Sequence, residues 1–236
     1  MLKQRILTAL VLLPLMVGML FAANEPVWAG FSALVTLLAL WEFGRMMPMS
    51  KPFQASYLLL SFGGLLAAYV SGFRLGVNGH YAVLAFWLLL VPVWLYAKWT
   101  VRSPWWAALL GWALLLPFWL ALVSLRPNTH AAAALLAIMA LVWVADTGAY
   151  AFGRLFGRHK LAPAISPGKS WEGAIGGLAC VLLYVWLMQK MQWFAVNLPL
   201  WQALLVAVVL TAVSIQGDLL ESWLKRAAGV KDSSQL

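Results

Sequence analysis

Eight predominantly apolar stretches, at residues 6–23, 27–44, 56–72, 81–97, 104–124, 131–150, 172–189 and 199–217, dominate this chain. At about 17–22 residues each they match a helix crossing a hydrocarbon core of about 30 Å. Inside lipid every backbone N–H and C=O must be satisfied within the structure, which leaves helices or a closed barrel. The runs are continuously apolar and do not alternate, which reads against a barrel. The expected fold is therefore all-α, a polytopic transmembrane helical bundle of about eight spans, with a cytoplasmic interfacial amphipathic helix over residues 218–228. Residues 1–130 read as N-terminal membrane helices and 131–236 as the region that carries the chemistry, together one integral membrane domain. Residues 1–23 have the basic start and apolar run of a signal peptide, but the next span follows at once, so a retained first helix is expected. The single Cys180 cannot form a disulfide within the chain.

The formal net charge is +9, which in a soluble protein would suggest nucleic acid. Distribution along the chain points elsewhere. With the N-terminus inside, thirteen of the sixteen Lys and Arg residues fall in cytoplasmic segments, leaving Arg74, Arg126 and Lys190 opposite. This asymmetry predicts a cytoplasmic N-terminus and no nucleic-acid partner. Basic charge on that face would favour anionic lipid and phosphorylated substrates.

Five of the seven acidic residues follow position 145, in three polar islands: Asp146 in D-T-G-A-Y, Glu172 in S-P-G-K-S-W-E-G, and Asp218, Glu221 and Asp232 near the C-terminus. A carboxylate in a membrane span costs roughly 2.5–3.5 kcal/mol on insertion scales and tends to face a cavity, partner or ion. The islands thus read as a cation-and-phosphate site at the cytoplasmic face. Asp146 has a bland alternative as a helix-terminal acid bonded to a neighbouring helix; Tyr150, four residues on, shares its helix face.

The segment 151–171 holds three glycines and two prolines. Its Gly168-Lys169-Ser170 ending imitates a phosphate-binding P-loop, but Pro163 stands where that loop needs glycine and no preceding strand is expected. Ser170 can cap a helix starting near Trp171, whose free N–H groups favour an anion, with Lys169 adding a point charge. Glu172 reads as a metal ligand or lysine partner, or as a simple helix-dipole acid. Gly173 and Gly177 form G-x-x-x-G, a helix-packing pattern. His159 reads as a solvated loop residue. Further on, Asp218, Glu221, Ser222 and Lys225 share one helix face, and Glu221 with Lys225 could be an ordinary salt bridge.

Taken in order, D-T-G-A-Y-x-F-G-R-x-F-G, S-P-G-K-S-W-E-G and S-x-L-K-R-x4-K-D-x-S resemble the motifs of the phosphatidate cytidylyltransferases, the CDP-diacylglycerol synthases. The resemblance is dense over residues 142–236. It implies transfer of the cytidylyl group of CTP to phosphatidate, with pyrophosphate released, in a bacterial inner membrane. On that basis Asp218, Lys169 and Lys225 are candidate catalytic residues. Candidate substrate-binding residues are Ser166, Lys169, Ser170, Ser222, Lys225, Arg226 and Lys231. Candidate metal ligands are Asp218, Asp146, Glu172 and Asp232, for Mg2+ and a possible second cation. CTP, phosphatidic acid and membrane lipid are the expected partners, and a second copy of the chain is a candidate one. In the family the signature continues into H-G-G-x-x-D-R-x-D and a last helix, whereas this sequence stops at Leu236; a fragment lacking part of its metal site, and inactive alone, is the expectation. A CTP-dependent polyprenol kinase and a polytopic transporter are the alternatives.

Overall fold

The computed structural model describes residues 2–193 and 198–230. Long helices dominate it: α1 (Leu2–Ala22), α2 (Glu25–Met46), α3 (Lys51–Val70), α4 (Val77–Ala85), α5 (Val91–Ala97), α6 (Pro104–Leu125), α7 (Ala132–Phe156), α8 (Trp171–Lys190) and α9 (Leu200–Ala227). One π-helical turn, Phe86–Leu90, joins α4 to α5 into a single crossing. Among the described residues seven segments are long and apolar enough to cross a membrane. The apolar helix Leu10–Ala22 coincides with the first of the eight expected spans.

Helix starts follow local chemistry. Asn24 accepts from the Val27 amide at 3.1 Å and Ser50 from the Phe53 amide at 3.4 Å, each with proline in the first helical positions. These residues satisfy or remove amide donors that have no partner within the helix. Large apolar side chains such as Leu59, Leu60 and Leu89 point outward, as lipid contact demands. Inside, Ser32, Thr36, Ser61 and Thr211 are buried, and each hydroxyl donates to a carbonyl three or four residues back. Small self-satisfied side chains let membrane helices approach closely.

The N-terminal helices pack around α2 and α6, and the C-terminal ones around α8. Helix α9 joins the two groups: Leu220 and Leu224 share a buried cluster with Phe43, Met47, Val91, Ala107 and Leu110. Nearby, the Trp99 carbonyl accepts two indole N–H groups, from Trp94 at 2.9 Å and Trp223 at 2.7 Å. At the opposite end of the bundle Arg126 is fully buried and donates to the carbonyls of Leu20 at 2.7 Å and Ala23 at 2.6 Å. Its guanidinium lies over the Trp28 ring. A cation thereby closes the C-terminal end of α1, where free carbonyls concentrate negative charge.

Two sequence expectations need correction. The stretch 218–228 does not form a separate interfacial helix, because α9 runs unbroken from Leu200 to Ala227. With Leu220 and Leu224 buried against three other helices, that stretch is held as a continuation of the span. Residues 151–171 are not a long loop either: α7 continues to Phe156, and an antiparallel hairpin of β1 (Lys160–Ala162) and β2 (Ser166–Ser170) leads into α8.

Candidate active site

Helices α7 and α8 cross where glycines remove the side chains between them. A Cβ on Gly173 would lie 2.7 Å from the Ala149 carbonyl oxygen, and one on Gly177 would lie 2.8 Å from that of Ala145. The G-x-x-x-G pattern is therefore a packing device, as its spacing suggests. Helix α9 lies against α8 but hardly touches α7. The result is a cleft with α8 as its floor, α7 and α9 as its walls, and β2 over its mouth.

The cleft has a volume of about 440 Å³. Four charged residues line it: Asp146 and Arg154 from α7, Lys169 from β2 and Asp218 from α9. Ser166 and Ser170 join them from the hairpin, and Thr211 and Ser214 from α9. The Lys169 Nζ makes an ion pair with Asp218 Oδ2. Toward the membrane interior, Leu141, Ala145, Val181, Val185 and Ala207 form a buried cluster between the same three helices. The polar space is thus confined to one end of the bundle and does not continue across it.

Ser170 is the N-cap of α8, its Oγ accepting from the Gly173 amide at 3.2 Å. Gly168-Lys169-Ser170 lies within β2 itself, not in a loop after a strand, so it cannot wrap a phosphate as a P-loop does. Glu172 is occupied elsewhere. Its Oε1 is 2.6 Å from His159 Nδ1, and both its oxygens accept from the His159 amide at 3.2 Å. The Trp171 amide closes the same turn by donating to the His159 carbonyl at 2.9 Å. His159 is the solvated residue that the sequence suggests, its side chain 79% exposed, and it is also one half of this latch.

The structure therefore brings Asp146, Ser166, Lys169, Ser170 and Asp218 into one cleft. Glu172, Ser222, Lys225 and Arg226 are not in its lining. Lys225 Nζ instead meets Glu221 Oε1 at 2.5 Å, the ordinary salt bridge one turn along α9. Lys231 and Asp232 lie outside the described residues. Sequence reasoning passed over Arg154, Thr211 and Ser214. Arg154 was the most findable, being four residues beyond Tyr150 and eight beyond Asp146 on the same face of α7. Among the described residues no three His, Cys, Asp or Glu side chains converge.

Fold and site define an integral membrane protein with a one-sided cleft, in which carboxylates and cations face each other at the end of the bundle. Such a cleft suits anionic reactants held at a membrane surface. The family model described as Cytidylyltransferase family matches residues 3–236, and the chain belongs to that family. A phosphatidate cytidylyltransferase of Pseudomonas aeruginosa is 39% identical over 241 residues, covering 100% of this chain and 88% of that protein. One from Haemophilus influenzae is 34% identical over 260 residues, covering 100% of this chain and 90% of its own length. A phosphatidate cytidylyltransferase of Staphylococcus haemolyticus is 51% identical over 96 residues, 41% of this chain and 36% of that protein.

Proposed function

We propose that this multi-pass membrane protein is a nucleotidyltransferase that converts CTP and phosphatidate to CDP-diacylglycerol and pyrophosphate, and that the cleft between α7, α8 and α9 is its active site. A phosphate oxygen of the lipid forms the new bond to the α-phosphorus of CTP. The bond from that phosphorus to the bridging β-oxygen breaks, and pyrophosphate leaves in line. Phosphatidate supplies the attacking oxygen, so the protein has to position reactants and balance charge without providing a nucleophile. The supporting observation is that Lys169 and Asp218, distant in sequence, are paired on the walls of a cleft shared with Asp146.

Lys169 serves as the cation for the CTP phosphates, and Asp218 holds its ammonium at the cleft wall until phosphate arrives. Ser166 and Ser170 offer hydroxyls beside it. Two carboxylates facing one polar cleft are hard oxygen donors and fit a magnesium ion that completes its shell with water and phosphate oxygens. Asp146 and Asp218 would hold it, and it would neutralise charge on the reacting phosphates. The asymmetry of Lys and Arg supports a cleft on the cytoplasmic side of a bacterial inner membrane, where CTP is available. A homodimer is compatible with the wide apolar exterior.

The test is incorporation of label from CTP into chloroform-soluble lipid by membranes carrying the chain, in a host depleted of its own enzyme. Label at the α-phosphorus should enter lipid in a phosphatidate-dependent manner. Entry of γ-label would instead mean phosphoryl transfer to a lipid alcohol, and entry of neither, with the chain continued through the H-G-G-x-x-D-R-x-D element and last helix, would remove the assignment.

A further inference from the structure

Asp146, Tyr150 and Arg154 follow one another at four-residue spacing on α7 and all line the cleft. The Arg154 guanidinium donates to the Tyr150 hydroxyl at 3.0 Å. Eight residues of helix place Arg154 about 12 Å beyond Asp146 along the axis, toward the end of the bundle. Both Tyr150 and Arg154 are exposed, and so are Trp143, Thr147 and Ala151 beside them. The pair therefore forms the lip of the cleft where α7 turns its uncovered side to the surroundings. Asp218 stands on α9, the opposite wall, and Lys169 reaches it from β2 over the mouth.

The level of this lip in the membrane can be read from its neighbours. Phe152 and Phe156, exposed and with ring centroids 5.8 Å apart, bracket Arg154 in the last turns of α7. Trp171 is exposed at the adjoining start of α8. Clustered exposed aromatics mark the headgroup level of a bilayer. An arginine at that level, on the side open to lipid, meets lipid headgroups before it meets a soluble nucleotide. Among the described residues no carboxylate pairs with it; its partner is a neutral phenol that holds the guanidinium plane in place. A guanidinium held so presents paired N–H donors to a phosphate, which an ammonium cannot do.

We propose that Tyr150 and Arg154 form the receiving site for the phosphomonoester of the lipid substrate, entering sideways from the leaflet, while Lys169 serves the nucleotide across the cleft. This rests on the cytidylyltransferase reading above and divides its two anionic reactants between two walls. Tyr150 orients the guanidinium and Arg154 makes the phosphate contact.

The test is separate equilibrium binding of dioctanoyl phosphatidate and of CTP with magnesium to the whole chain in detergent, which needs no turnover. Arg154→Gln should weaken phosphatidate binding about tenfold, the scale of a charge-assisted contact, and leave CTP binding unchanged. Tyr150→Phe should weaken phosphatidate binding less, and restoring charge with Arg154→Lys should recover part of the loss. Inorganic phosphate should compete poorly with phosphatidate in the wild-type chain; equal competition would make the lip a general anion site and overturn the lipid assignment. A loss of CTP binding in folded Arg154→Gln, or no loss of either ligand, would also overturn it. Should Arg154→Gln not fold, Arg154→Lys decides alone: selective weakening toward phosphatidate supports the site, and unchanged or CTP-selective behaviour rejects it. If the wild-type chain binds both ligands but incorporates neither label even when continued through the H-G-G-x-x-D-R-x-D element, the proposed reaction fails while the lip stands or falls on its own numbers.

Discussion

Asp218 and Glu221 lie one turn apart on α9, and the structure gives them different work. Asp218 lines the cleft and meets Lys169, whereas Glu221 pairs with Lys225 along its own helix. Asp218→Asn keeps the size but removes the charge that balances both a cation and Lys169. A loss in kcat of more than about 10²-fold is expected, the order for a primary electrostatic element. Glu221→Gln removes an exposed i,i+4 pair, which contributes little, and activity should stay within about twofold. Glu172 gives a sharper contrast with the sequence. A candidate metal ligand, lysine partner or helix-dipole acid by sequence, it latches His159 to the start of α8. Glu172→Gln should therefore speed hydrogen exchange at the His159 and Trp171 amides without changing the magnesium concentration that half-saturates activity. A raised magnesium requirement would return Glu172 to the ligand set. The latch was not legible because it depends on a hairpin folding back, and nothing in the spacing of His159 and Glu172 encodes that return.

At the scale of elements, contacts within one helix or at its ends were legible, and contacts between distant segments were not. The Ser170 cap and the Gly173-x-x-x-Gly177 face are written in local spacing, and both appear as expected. Spacing alone could not show that α9 continues past Asp218, since an amphipathic stretch reads as interfacial until Leu220 and Leu224 are seen to be buried. Nor could it join Trp94, Trp99 and Trp223, whose meeting point is a backbone carbonyl. Gly177→Ala places a methyl against the Ala145 carbonyl and should destabilise the α7–α8 pair by about 1–3 kcal/mol, the usual cost of overpacking. A lower Tm in detergent would report it. Gly30 has open space around the same added carbon, so Gly30→Ala should leave the Tm unchanged or raise it. Trp223→Phe keeps an aromatic ring, though a smaller one, but loses the N–H to Trp99, so one indole is left on that carbonyl. A fall in kcat with little change in Tm would show that this tie sets the position of α9 and its Asp218.

On the scale of the whole molecule, the N-terminal half carries no motif, yet it fixes the wall on which Asp218 stands. Phe43 of α2, Met47 just beyond it, Val91 of α5 and Ala107 and Leu110 of α6 form the cluster that buries the end of α9. The bundle also fixes which segments share a side. The ends of α2, α5, α7 and α9 meet the starts of α3, α6 and α8 at the cleft end, and the Trp223–Trp99 hydrogen bond ties two of these segments directly. That end holds Arg45, Lys51, Lys98, Arg102, Arg154, Lys169, Lys225 and Arg226, whereas Arg74, Arg126 and Lys190 lie toward the other. Arg126 is moreover buried as the cap of α1, so it adds nothing to the exposed charge there. Lys and Arg are retained on the cytoplasmic side during insertion, so the cleft should face the cytosol and draw CTP from it. Ala164, at the exposed tip of the hairpin, and Asn78, exposed at the start of α4, report the two sides. In a Cys180→Ala background, a membrane-impermeant maleimide added to intact cells or sealed spheroplasts should label Asn78→Cys and leave Ala164→Cys unmodified until the membrane is opened. Labelling of Ala164→Cys from outside would place the cleft away from cytosolic CTP, and the proposed reaction would then lack its nucleotide.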